Sequence, residues 1–178
     1  MTASFSTVLS RILSMNMKTA RLLFLLLSGA SCAHAGDIFT VKRISTDLAV
    51  EIAQETLISC RAGGYQISVV VVDRNGDTQV VIRDDLASRF NREIAERKAN
   101  AAILGATSTR DFAANRSDIK DELNEIDGIM ILEGGLPIRA AGTLIGAVGV
   151  SGAPGGDKDA ACAQKALDKL DERLEFAD

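Results

Sequence analysis

From Ser45 onward the apolar positions fall into alternating helix-like and strand-like blocks. Leu48, Ile52, Leu57 and Cys60, with small Ala49 and Ala53 among them, recur every three or four residues. That spacing predicts an amphipathic helix, capped by Ser45 or Thr46 and ended by Gly63-Gly64. Ile67 to Val72 is β-branched and apolar on both faces, which predicts a central strand covered on both sides. Asp73-Arg74-Asn75-Gly76-Asp77 predicts a hairpin, because Asn-Gly readily takes the positive φ of a tight turn, and Thr78–Arg83 returns as the partner strand. After a connector, Asp84–Ser88, a second helix is expected from about Asn91 to Gly105, with Ile94, Ala95, Ala101, Ala102 and Leu104 inward. Residues 107–126 are polar and helix-capable, with a short solvated helix from Asp118. Gly128–Leu132 reads as a third strand, and Leu136–Ala140 and Thr143–Val150 as a second hairpin around Ala141-Gly142. A last helix, about Lys158 to Glu175, carries Cys162, Ala166, Leu167, Leu170 and Leu174 on one side.

This order is helix, hairpin, helices, three strands, helix. Two hairpins with helices between and around them predict an α+β domain, a five-stranded antiparallel sheet carrying helices and not a doubly wound parallel one.

The chain's first 35 residues read as a cleavable export signal: Lys18 and Arg21, a short apolar core from Leu22 to Leu27, and the small-x-small site Ala33-His34-Ala35. That core is too short to span a bilayer as a helix. Lipidation at Cys32 fits less well, because Gly29-Ala30-Ser31 lacks the large aliphatic residue expected three positions upstream. The mature protein is therefore expected as one domain, residues 36–178, in the periplasm or secreted, with no segment embedded in a membrane. All 24 acids lie in that part with 17 of the 20 basic residues, a formal charge of 17 − 24 = −7. Such a charge argues against nucleic acid or an anionic membrane as partner. One tyrosine and no tryptophan leave no stacking platform for bases either.

The one histidine, His34, belongs to the signal. Residues 36–178 thus lack the imidazole needed for histidine acid–base catalysis, for Ser-His-Asp or Cys-His nucleophiles, and for histidine-bearing zinc or haem sites. No residue is assigned a catalytic role and no metal site is expected. Cys60 and Cys162 each lie on the apolar stripe of an expected helix. They read as buried free cysteines or, in an oxidising compartment, as a disulfide.

Arg83, Asp85, Arg97 and Lys98 form the best charged cluster. Lys98 falls near the buried stripe of its helix, four residues after Ile94, so it either snorkels to water or takes Asp85 or a ligand carboxylate as partner. Gly152, Gly155 and Gly156 ahead of Asp157 either form an anion-holding loop or only let the chain turn while Asp157 caps the helix. Gly134-Gly135-Leu136-Pro137 brings backbone close to a ligand or makes a strained turn.

The chain resembles the GlcG/HbpS family of haem-binding-type proteins, whose domain is also an accessory unit of some cobalamin adenosyltransferases. The resemblance rests on Val71-Val72-Asp73 with Gly76, Arg83-Asp84-Asp85, Ser88, Lys98-Ala99, Gly134 to Ile138, Gly146 to Gly152 and Asp157. It implies a profilin-like fold, with N- and C-terminal helices on a five-stranded antiparallel sheet. It also implies haem or tetrapyrrole binding, a sensing or accessory role and assembly into homo-oligomers. The expected function is an exported binding protein for a tetrapyrrole or a small anionic metabolite, with a membrane sensor as one partner. The candidate ligand-binding residues are Arg83, Asp85, Arg97, Lys98, Gly134, Gly135, Pro137, Gly152, Gly155, Gly156 and Asp157. Met130 and Tyr65 are conceivable iron ligands, and a threonine or water is the other option. The alternative is a small enzyme or accessory factor acting on an organic acid through Lys98 and Asp85.

Overall fold

The structure is a computed structural model that describes residues 40–177. The expected signal segment lies outside the described residues. The first helix, α1 (Thr46–Ala62), is capped by Ser45, whose Oγ accepts from the Leu48 N–H at 3.3 Å. At its other end the Gly63 and Gly64 N–H groups bond the carbonyls of Cys60 and Arg61. Then come β1 (Ser68–Asp73), β2 (Thr78–Arg83), α2 (Arg89–Gly105), the short α3 (Thr109–Asn115) and α4 (Lys120–Asn124). The chain finishes with β3 (Gly135–Ala140), β4 (Thr143–Ser151), α5 (Gly156–Lys169) and α6 (Asp171–Glu175). No helix among the described residues is long and apolar enough to cross a membrane.

The sheet is antiparallel throughout, in the order β2-β1-β4-β3. Every residue of β1 is buried, as expected of a strand covered on both faces. Val69, Val71, Val148 and Val150 pack with Leu48, Ile52 and Leu57 of α1 and with Ala163 of α5. Val70, Val72 and Ala147 pack instead against Ala95, Ala99 and Ala102 of α2. Gly149 explains why that second layer is built of alanine. A Cβ on it would lie 1.9 Å from the Ala95 carbonyl oxygen, so α2 rests directly on the main chain of β4. At this distance larger side chains do not fit between, and Leu104, expected inward, is 50% exposed.

Two expectations change and one open choice closes. Among the described residues the sheet has four strands, not five. Gly128–Leu132 is buried in part as its composition demands, but its N–H groups meet no strand. Met130 donates to the Arg97 carbonyl at 3.1 Å, Ile131 to Asn124 Oδ1 at 2.7 Å and Leu132 to the Met130 carbonyl. Ile131 fills a small separate core with Ala101 and Phe112. Second, Cys60 and Cys162 are bridged and not free, with their Cα atoms 5.2 Å apart, tying α1 to α5 on one face of the sheet. Third, the first hairpin turns through a longer loop with only Gly76 at positive φ, held by the buried Asp73 carboxylate, which accepts from the Asn75 and Asp77 N–H groups at 2.7 and 3.2 Å. The tight two-residue turn is the second hairpin's, where Ala141 and Gly142 both take left-handed φ, 46° and 77°.

Candidate functional site

Lys98 is 2% exposed where α2 passes beneath Gly134-Gly135. Its Nζ donates to Asp159 Oδ2 at 2.9 Å and to the Val150 carbonyl at 2.9 Å. The other carboxylate oxygen of Asp159 accepts from the Ala153 N–H at 2.9 Å. Burial pushes the Asp159 carboxyl above its ordinary value; Lys98 and the Ala153 N–H oppose that without cancelling it. A Cβ on Gly134 would lie 2.8 Å from Lys98 Nζ, and one on Gly135 would lie 2.2 Å from the Lys98 carbonyl oxygen. The glycine pair therefore lets the start of β3 cover the ion pair directly. The partner of Lys98 is Asp159, not Asp85, and with both ions enclosed the pair serves as a tie between α2, β4 and α5. The organic-acid reading loses its polar pair.

The other members of the expected charged cluster go separate ways. Arg83 donates to the Ala87 carbonyl, Asp85 is exposed, and Arg97 pairs with Glu93 at 2.8 Å. The buried acid of that connector is Asp84, gripped by Arg61 Nε and Nη2 at 2.9 and 2.5 Å. Gly152 and Gly156 are spacers, since a Cβ on either would lie 2.5 Å from a main-chain oxygen, of Gln66 and Glu133 respectively. Gly155 is the N-cap of α5, which begins at Gly156 with no side-chain cap, so Asp157 lies inside the helix and does not cap it.

Two depressions stand out. A groove runs between α5, β3 and the turn before α3, in two hollows of about 470 and 360 Å³ that share Ser108, Asp111, Leu136 and Gln164. Gly134, Gly135 and Asp157 line its inner half and Pro137 its outer half. Its charge is negative: Asp111, Asp168, Asp171 and Glu175 in one half, Glu133 and Asp157 in the other, against Arg139 and Arg110. A ligand bearing carboxylates is repelled there. The β3 edge beside it is closed to another strand: Pro137 has no N–H, and Thr109 Oγ1 takes the Gly135 N–H at 3.0 Å.

The second depression, a cleft of about 360 Å³, lies between α2, α4 and the segment after Gly128. Met130 lines it with Ile129 and Leu132, and Arg97, Lys120 and Asp121 stand at its polar side. Here an apolar wall, a thioether and two cations meet, which is the donor set for a flat, largely apolar molecule with an anionic edge. Tyr65, the other expected iron ligand, packs against the core of α1 and α5 instead. Asp159 and Lys120 were absent from the sequence-based candidates. Asp159 left a signal, being a charge on the apolar stripe of α5 three residues before Cys162.

The family described as haem degrading protein HbpS-like matches residues 44–168. Protein GlcG of Escherichia coli (strain K12) is 28% identical over 108 residues, 61% of this chain and 81% of that protein. Among solved structures, a double mutant of Streptomyces reticuli HbpS superposes with a TM-score of 0.72 at 31% identity, covering 80% of this chain and 97% of that one. Klebsiella pneumoniae protein ORFY superposes with a TM-score of 0.70 at 28% identity, covering 76% and 96%.

Proposed function

We infer the function from the premise that this chain belongs to the HbpS-like family, and we propose that it binds haem or a closely related tetrapyrrole. The observation that carries this reading is the lining of the Met130 cleft. Its apolar wall suits the ring, and Arg97 and Lys120 suit the carboxylates, whereas the larger groove is acidic. The same contrast favours a tetrapyrrole over a small anionic metabolite, which has no apolar body to use that wall. Bound haem would supply an iron centre; the protein's part is to hold and orient it and to shield one face from water. On the same footing we propose a profilin-like fold for the four-stranded domain. We also propose export to the periplasm or beyond after cleavage behind Ala35, assembly into a homo-oligomer, and a sensing or accessory role beside a membrane sensor.

The test is a haem titration of the purified protein. A saturable Soret shift is expected at micromolar haem, and a difference spectrum no larger than that of a control protein would remove the reading. Because the family description includes haem degradation, the loaded sample is then left with ascorbate under air. A stable Soret band supports a holding role; its progressive loss, with an oxidised product appearing, transfers the protein to the enzymes.

A further inference from the structure

We propose that Met130 supplies a thioether ligand to the iron of that haem, with Arg97 and Lys120 facing its carboxylates. The inference rests on the haem-binding reading above and assigns the ligands within the same cleft. Histidine, cysteine thiolate, methionine and tyrosinate are the common protein ligands of haem iron. Residues 40–177 contain no histidine. Cys60 and Cys162 are consumed in their bridge. The single tyrosine, Tyr65, is packed against the α1 core, with its ring set close to Gly63. Of the four methionines, Met130 alone lies among the described residues. It is thus the one member of that set, among the described residues, that lines a cleft.

The surroundings suit the role. The main chain at Met130 is pinned on both sides, by its own N–H to the Arg97 carbonyl at 3.1 Å and by the Ile131 N–H to Asn124 Oδ1 at 2.7 Å. Ile131, 2% exposed, anchors the segment from below, while Leu132, 49% exposed, adds apolar surface to the cleft that Met130 lines. A flexible thioether on a fixed backbone can meet an iron without refolding its neighbours. Arg97 uses one nitrogen on Glu93, whose side chain is 57% exposed, so several guanidinium donors remain for a carboxylate. Asp121 also lines the cleft and is the one acid facing those cations there.

The experiment uses the full chain purified without a histidine tag and carrying His34→Ala, so that no imidazole can substitute. Haem is titrated into this parent and into its Met130→Leu, Met130→His, and Arg97→Gln/Lys120→Gln variants. Each complex is examined by near-infrared magnetic circular dichroism. The parent should show the charge-transfer band of methionine-ligated ferric haem, and Met130→Leu should lose it. Loss of outer partners alone weakens metal sites by 10–100-fold, so loss of the ligand should weaken haem by roughly tenfold or more. Met130→His should restore tight binding with the spectrum of imidazole ligation. Arg97→Gln/Lys120→Gln should weaken haem while leaving the iron spectrum unchanged, and should make no difference to haem dimethyl ester, whose carboxylates are blocked. If Met130→Leu binds haem with the parent's affinity and spectrum, the ligand assignment is wrong and the haem reading stands. If the parent binds no haem, the haem reading falls with it.

Discussion

Replacing Lys98 by Met keeps most of the buried stem and removes the ammonium. Asp159 then retains the Ala153 N–H but loses its 2.9 Å partner on Oδ2, and the Val150 carbonyl loses a donor at the same time. Opposite unit charges at that separation attract by about 6 kcal/mol at an effective dielectric of about 20. Dehydration costs several kcal/mol per ion, so the intact pair comes out near break-even. A single ion left in the same place has the cost without the attraction. Lys98→Met should therefore destabilise the domain by about 3–5 kcal/mol, two to three and a half decades in the folding constant. Lys98→Met/Asp159→Leu should recover much of that. Urea denaturation of both single variants and the double, followed by circular dichroism at neutral pH, gives the cycle. Acid supplies a second reading. Burial already holds the Asp159 carboxyl above its ordinary value, and without Lys98 it should rise further. An acid raised in the folded state favours folding below its unfolded value and loses that contribution as pH climbs through the folded value. The deficit of Lys98→Met should thus shrink on going from about pH 7 toward about pH 4. A loss under about 1 kcal/mol, or a double variant as unstable as the two singles summed, would refute the tie.

Gly149→Ala should cost about 3 kcal/mol, since the new methyl meets the rigid Ala95 carbonyl at 1.9 Å and only a shift of α2 can relieve it; a thermal melt reports this, and an unchanged Tm would mean that the helix has room. Cys60→Ala/Cys162→Ala opens a loop with a sequence separation of 102 and should lower stability by about 2–5 kcal/mol, read from the urea midpoint. Burial works to raise the Asp73 carboxyl, but the Arg43 guanidinium and the N–H groups of Asn75 and Asp77 outweigh it and hold the group below its ordinary value. Its contribution to stability is present above the unfolded value and is lost as pH falls through the folded one, so Arg43→Gln should move the acid unfolding midpoint to higher pH.

The fold was legible wherever one physical demand dominated. The β-branched run Ile67–Val72, apolar on both faces, leaves β1 no place but the middle of a sheet with a helix layer on each side. Gly128–Leu132 defeated the same logic because apolarity states that a segment is buried, not what accepts its N–H groups. Those acceptors are Asn124 Oδ1 and the Arg97 carbonyl, neither of which has a strand's signature. The inner face of α2 failed in a related way. Leu104 fits the helical period, yet Gly149 draws the helix so close to β4 that only alanines fit between them. That is a property of two segments 50 residues apart and of neither alone.

The polar core shows where a sharper rule applies. Lys98 lies on the buried side of α2 and Asp159 on that of α5, and opposite charges on two apolar stripes predict each other more strongly than nearness in the chain does. Asp85 was nearer but is itself exposed, so solvation leaves it no need of a partner. The consequence reaches the cleft. Adjacent residues on a helix point about 100° apart, so Lys98 faces the sheet while Arg97 turns to the cleft and its carbonyl holds the Met130 N–H. The tie fixes the helix from one side, and the ligand segment hangs from the other. Lys98→Met, in whatever fraction stays folded, keeps the Arg97–Met130 bond. Haem affinity of that folded fraction should accordingly change far less than it does in Met130→Leu, which separates what holds the scaffold from what holds the iron.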